Sequence, residues 1–329
     1  MRWSLLLAVF GLSITDVASF AQRPPGDQRL SATRSSSQDA GFFARSGVVR
    51  FQFVQGRLCL DPPRHRKGSQ NSDTDGVYES ITVTADRGIP SVHYVCQTTE
   101  QHITLSVQHA KDVRIESWLP EEEERSILEQ PSTGEVTWTT TRGDLVDKID
   151  GATILHIRLQ DRSTFGKHFG CLVERLLRGQ TLEQLTDATQ AAMLRLATNA
   201  ETPSVEEIES AVEQLRAPSR SARMIADRRL LSWGTPIVPM LRKSLKGDLD
   251  PEQRDRLKAI LRRLRPYEDD TPATLAMLFI NDEVYWNQIA VHLDATQIQV
   301  ANNHLVQYGA SPINLDQAPD ERIAAKPSE

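Results

Sequence analysis

Cysteine is scarce in this chain: Cys59, Cys96 and Cys171 are the only three in 329 residues. They are too few and too scattered for a disulfide framework, so stability has to come from packing. One bridge at most can form. Cys59 with Cys96 is the favoured pair because both lie on strand-like runs, with two unpaired buried thiols as the equal alternative, and Cys171 reads as an ordinary buried thiol. Aromatic residues make up only 6%, which points to a mainly aliphatic core. The sequence also has no Gly-x-Ser-x-Gly elbow, no His-Glu-x-x-His, no phosphate-binding Gly-x-x-x-x-Gly-Lys-Ser/Thr and no Gly-x-Gly-x-x-Gly. Those absences lower the weight of an enzyme without excluding one, because carboxylate pairs from distant loops leave no trace in a single sequence. No cofactor is implied.

Long apolar runs are missing as well. The most apolar stretch, Ser4 to Ile14, is too short to cross a hydrocarbon core of roughly 30 Å as a helix. With Arg2 before it and Ser19-Phe20-Ala21 after it, it forms a secretory signal peptide over residues 1–21, cut between Ala21 and Gln22. The expectation is a secreted or periplasmic protein without stable membrane insertion.

Beyond Ala21 the chain divides by period. Residues 22–47 are rich in Ser, Arg, Gln, Gly and Pro and read as a flexible leader, with one apolar pair at Phe42-Phe43. Over 48–162 the period is two. Strands are predicted around Val49–Val54 and Arg57–Leu60, then at Ser80–Ala85, Ser91–Thr98, His102–His109, Asp112–Trp118, Gly134–Thr140 and Ala152–Leu159, with short polar connections suited to antiparallel hairpins. From 166 to 312 the period is 3.6. Phe169, Leu172, Val173, Leu176 and Leu177 form one stripe, Thr181 with Gln184 and Ser204 with Glu207 are capping boxes, and Asp250-Pro251 and Thr271-Pro272 open further helices. The fold class is therefore α+β in two domains, an antiparallel β-sandwich or small barrel followed by helices, with residues 313–329 as a disordered tail.

The text SARMIADRRLLSWGTPIVPMLRKSLKGDLDPEQRDRLKAILRRL, within residues 219–266, resembles a HEAT-like (armadillo-type) helical repeat: a helix, a Gly-Thr-Pro turn, a second helix, then Asp250-Pro251 opening a third. The resemblance implies that Asp250 and Arg254 cap and brace the stack. It brings no catalytic residues, only a habit of offering helical surfaces to partners.

Charge is uneven. The net charge is −6, but Arg216 to Pro266 holds fourteen Lys and Arg against five Asp and Glu, a local +9 that leaves −15 elsewhere. Arg254, Lys258, Arg262 and Arg265 recur at helical spacing opposite Leu257, Ile260, Leu261 and Leu264, which makes them the candidate face for another protein or an acidic polymer. Nucleic acid is disfavoured, since no aromatic residue interleaves them to stack bases.

Three other patterns have a sharper and a blander reading. Asn71-Ser72-Asp73-Thr74-Asp75-Gly76 begins like a calcium loop, but Thr82 stands where the closing bidentate Glu belongs; a polar hairpin loop accounts for the same letters. His93, His102 and His109, with Cys96 near His93, suggest a metal, yet odd spacing along a strand sends them to opposite faces. His156 and His168 have no acidic or cysteine partner at metal spacing, and Glu121 to Glu124 reads as a solvated loop. The leading expectation is a secreted, non-enzymatic interaction or scaffold module. The alternative is an extracytoplasmic enzyme or inhibitor acting through a cleft in the β-domain.

Overall fold

Where alternate residues are apolar the chain forms strands, and where the period lengthens it forms helices. The structure, a computed structural model, describes residues 41–43, 49–60, 68–198, 203–266 and 268–313. The signal segment, residues 22–40 and 44–47 of the leader, residue 48, and residues 314–329 of the tail lie outside the described residues.

A first hairpin joins β1 (Phe51–Val54) to β2 (Arg57–Leu60). Eight further strands form one antiparallel sheet in chain order: β3 (Gly68–Thr74), β4 (Val77–Asp86), β5 (Ile89–Gln97), β6 (His102–Gln108), β7 (Asp112–Leu119), β8 (Glu124–Gln130), β9 (Val136–Arg142) and β10 (Leu145–Gly151). Each strand pairs with its neighbours in sequence, so the sheet is a meander whose edges are β3 and β10. One face is apolar. Tyr94 stands opposite Ile81 and Leu105, Leu105 opposite Ile115, Ile115 opposite Leu128, and Leu128 opposite Trp138, all of them buried.

Helices complete the chain: α1 (Ile154–Gln160), α2 (Arg162–Phe165), a π-helical turn at Gly166–Gly170, α3 (Cys171–Leu176), α4 (Leu182–Ala197), α5 (Val205–Gln214), α6 (Arg220–Trp233), α7 (Val238–Lys246), α8 (Pro251–Arg263), α9 (Pro272–Phe279), α10 (Glu283–Ile289) and α11 (Ala295–Tyr308). The α+β order read from the sequence is thus present. Helix ends follow their caps: Ser204 and Glu207 close a full capping box on α5, Asp250 caps α8 before Pro251, and Gly309 ends α11 in the left-handed region. No helix among the described residues is long and apolar enough to cross a membrane.

Several local expectations change. Ala152–Leu159, read as a strand, contains α1 instead: Thr153 caps it through the His156 N–H, and every residue from Ile154 to Leu159 is buried. A segment buried on all sides has no polar face to reveal a helical period. Strands β3, β8 and β10 add to those expected from the pattern. β3 is exposed throughout, β10 is an exposed edge, and β8 turns Glu124, Ser126 and Gln130 inward, so none carries the usual alternation. Within the stretch read as leader, Phe43 is buried, its ring 4.9 Å from Tyr94 and 6.0 Å from Phe51.

The apolar core is continuous from the inner face of the sheet into the helices. Trp138 meets Phe165 and Phe169 edge-on, and the same cluster extends to Leu275, Trp286 and Leu305. A second, smaller cluster fills α5 to α8 around Leu215, Leu230, Leu241, Leu257 and Ile260. Leu241 is fully buried, whereas Leu261 is only half-buried. Leu241→Ala should therefore cost roughly 2–5 kcal/mol and Leu261→Ala below about 2 kcal/mol in chemical denaturation. Equal losses at both positions would contradict this packing.

Candidate functional site

The inner face of the sheet is apolar except at one end, where β7 and β8 bring Ser117, Glu124 and Ser126 inward. The π-helical turn packs against β7 and sets His168 over this polar patch. Ser117 Oγ lies 3.0 Å from His168 Nδ1, and His168 Nε2 lies 3.2 Å from Glu124 Oε1. A carboxylate only accepts, so Nε2 carries the proton and Nδ1 accepts from the Ser117 hydroxyl. Gln101 Nε2 donates to Ser117 Oγ at 2.8 Å and to the His168 carbonyl at 2.8 Å. Arg142 closes the outer end, its Nη2 2.5 Å from Glu124 Oε2. Burial pushes the Glu124 carboxyl up, but hydrogen bonds from Arg142 and His168 outweigh it and hold it below the usual range. Burial lowers His168, which therefore stays neutral at pH 7.

This order of hydroxyl, imidazole and carboxylate has the connectivity of a nucleophile, its base and the group that orients the base. It cannot act as one in this conformation. Ser117 is 0% exposed and Glu124 0% exposed, and the serine hydroxyl is already held by two partners, so no carbonyl carbon can come within reach. A depression of about 290 Å³ does lie nearby, bordered by His102, Thr104, Glu116, Ser117, Trp118 and Arg125, but it opens on the outer face. The Ser117 hydroxyl points the other way. Glu116 there is spanned by Arg114, at 2.7 Å, and by Arg125, which satisfy the carboxylate and hold it below its ordinary range.

A second histidine site sits deeper. His156 Nδ1 lies 2.9 Å from Thr153 Oγ1 and Nε2 lies 3.3 Å from Asp282 Oδ2, with Phe279 and Tyr285 edge-on to the ring. Both histidines thus have an acidic neighbour, though none at metal spacing in the sequence. The partners come from 44 and 126 positions away, and no spacing rule detects them.

A third polar cluster ties the first hairpin to the linker between α8 and α9. Asp270 Oδ2 accepts from Gly56 N at 2.7 Å, Asp270 N donates to the Phe53 carbonyl at 2.6 Å, and Asp269 Oδ1 accepts from Phe53 N at 3.0 Å. Gly56 has φ +70°, and a Cβ there would come 2.7 Å from Thr153 Cβ, so only glycine fits the turn. Burial raises Asp270 to about 6, despite the two backbone N–H groups it accepts from.

The proposed basic face divides. Lys258 and Arg262 are exposed, with no partner among the described residues. Arg254 and Arg265 are half-buried and do not share that solvent face. Arg254 donates to the carbonyls of Leu245 at 3.1 Å and Gly247 at 3.3 Å, bracing the end of α7, while Arg265 Nη2 reaches 2.6 Å from Cys59 Sγ. Asp250 caps α8 by accepting from the Gln253 N–H at 2.8 Å.

All three cysteines are free: Cys59 is buried and Cys96 half-buried, and Cys171 is exposed where a buried thiol was expected. Asn71 to Thr74 lie on β3, with Asp75 and Gly76 as a two-residue turn at φ 53° and 77°, so the segment is a hairpin with exposed side chains. No group of three metal-ligating side chains occurs among the described residues. His93 pairs with Ser106 and His109 with Asp112. Of the glutamate run, Glu124 is buried on β8, because the strand after the turn at Pro120–Glu122 directs it inward. No protein-family model, curated protein or solved structure matches the chain.

Asp270 gives a pH signature. Its folded pKa lies above the unfolded value of about 3.9, so the folded state holds the proton more tightly. That contribution is complete below about pH 4 and is lost as pH rises through 6, a penalty on the order of 3 kcal/mol at pH 7. Asp270→Asn keeps an acceptor for Gly56 N and removes the charge. It should raise stability at pH 7 and flatten the fall between pH 4 and 6; a variant destabilised at pH 7 but not at pH 4 would show that the carboxylate is needed ionised.

Proposed function

We propose that this chain is a non-enzymatic protein acting outside the cytoplasm, an interaction or scaffold module that presents helical surface to a protein or an acidic polymer. The location rests on the residue pattern of Met1 to Ala21. The observation that carries the binding part is the pair Lys258 and Arg262, four residues apart on α8, exposed and without a counter-ion among the described residues. Several basic residues on the helices around them are neutralised, Arg256 by Glu252 at 2.7 Å, Arg263 by Asp227 at 3.2 Å and Arg229 by Glu207 at 3.0 Å, while Arg228 of α6 and Lys243 of α7 are exposed like the pair. A free cationic pair steers an anionic partner, and the attraction is screened once the Debye length falls from ~30 Å at 0.01 M salt to ~8 Å at 0.15 M. The sealed state of the Ser117–His168–Glu124 chain speaks against hydrolytic chemistry in the same fold.

The test is retention on a heparin matrix at low salt. Lys258→Glu with Arg262→Glu should abolish it while leaving the melting temperature within a few degrees of the parent protein, since both side chains point into solvent. Arg254 and Arg265 are left intact because they brace other elements. Undiminished retention in the double variant would remove the reading's main support.

A further inference from the structure

A row of inward-facing side chains crosses the sheet near the end of β5. Glu79 on β4 stands opposite Cys96 on β5, Cys96 opposite Ile103 on β6, and Ile103 opposite Ser117 on β7, and directly opposed residues share a face. At ~4.8 Å between strands, the row measures roughly 14 Å from Glu79 to Ser117. The π-helical turn and α3 are anchored at both ends of it. His168 Nδ1 lies 3.0 Å from Ser117 Oγ at one end, while Arg175 Nη1 lies 2.5 Å from Glu79 Oε1 and 3.1 Å from the Tyr94 hydroxyl at the other. At about 1.5 Å per residue, the helical path from His168 to Arg175 covers roughly 10 Å, and the two side chains supply the rest. Cys171 comes three residues after His168 and one turn before Arg175, so it shares the face through which they reach the sheet. It therefore crosses the row between the two anchors, where Ile103 and Cys96 stand.

Access to the two thiols differs. Cys171 is exposed and Cys96 is half-buried, which places the pair at the rim of the helical cover. Burial raises the Cys96 thiol, with Glu79 and Cys171 adding to the rise. The third cysteine is held elsewhere. Leu58, beside Cys59, is bonded to Gln130, which stands opposite Val113 at the other end of β7, and Leu60 N donates to the Ala110 carbonyl beyond that same end. Val113 and Ser117 are about 13 Å apart along the strand, whereas a disulfide needs Cα atoms about 4.4–6.8 Å apart. The pairing of Cys59 with Cys96 expected from the strand pattern does not fit this separation.

We propose that Cys96 and Cys171 form a disulfide tying β5 to the first turn of α3 when the protein meets a small-molecule disulfide as oxidant. The Cys171 thiolate attacks one sulfur of the oxidant and expels the other as a thiolate, leaving a mixed disulfide. The Cys96 thiolate then attacks the Cys171 sulfur and expels the second oxidant thiolate. Two electrons pass to the oxidant, and the two thiol protons of the protein end on its reduced thiols. The bond joins positions 75 residues apart and pins the turn that carries His168. It depends neither on the Lys258–Arg262 pair nor on where the protein resides, although an extracytoplasmic setting would keep it oxidised.

The test incubates the reduced full chain with oxidised glutathione at pH 8, blocks remaining thiols with iodoacetamide, and maps peptides by mass spectrometry without reduction. The expected product is a monomer two hydrogens lighter than the reduced chain, with one cross-linked peptide pair holding Cys96 and Cys171 and with Cys59 alkylated once the chain is unfolded. Its unfolding temperature should exceed that of the reduced protein by several degrees, since a cross-link over so long a loop restricts the unfolded chain. Cys171→Ser alters an exposed side chain, so it should melt like the reduced parent and lose both the cross-link and the rise. Cys96→Ser should lose them too and retain glutathione on Cys171. Three free thiols after oxidation, a cross-linked peptide containing Cys59, a covalent dimer through Cys171, or glutathione kept on Cys171 beside a free Cys96 overturns the proposal. A bond that lowers the unfolding temperature overturns it as well, because it would have formed only by distorting the fold.

Discussion

An eight-stranded sheet with one apolar face cannot stand in water alone, and the chain beyond Gly151 is arranged around that requirement. Tyr94, Leu105, Ile115, Leu128 and Trp138 form a continuous apolar surface across five strands. The first helical residues cover it: Ile154, Ile157, Phe165, Phe169 and Leu172 come directly after the last strand and join the same core. Later helices extend that core rather than building one apart from it, except for the α5 to α8 cluster, which packs around its own leucines.

Covering a sheet that also carries buried polar residues creates a second constraint, because each of them needs a partner. Gln130 meets it by accepting from Leu58 N at 2.9 Å and donating to the Leu58 carbonyl at 2.7 Å, which fastens the small hairpin to the large sheet. Ser117, His168, Glu124 and Arg142 meet it as a chain of directed bonds running from the interior to an exposed guanidinium. The same arrangement that resembles catalytic machinery is thus explained by satisfaction of buried groups.

Much of this is legible in the residues. Periodicity locates β4 to β7, β9 and most of the helices, and the caps at Ser204, Asp250 and Thr271 mark helix starts correctly. The failures have physical causes. α1 is buried all round and lacks an amphipathic period, β8 hides a glutamate, and β3 is polar on both faces at a sheet edge. Long-range partners are beyond reach: nothing near Glu124 in sequence announces His168, and nothing near Cys59 announces Arg265. The basic face is half visible, since helical spacing places Arg254 and Lys258 together but does not reveal that α7's open carbonyls claim the first.

That the sheet and the helices share one core is the central claim, and native-state hydrogen exchange measures it most directly. Amides of Leu105 and Ile115 in the sheet, Met193 in α4 and Leu278 in α9 are all deeply buried, and a shared core predicts that they open with one common free energy equal to that of global unfolding. Exchange of Met193 and Leu278 at a distinctly lower free energy, while Leu105 and Ile115 stay protected, would show that the helices unfold on their own and would contradict it.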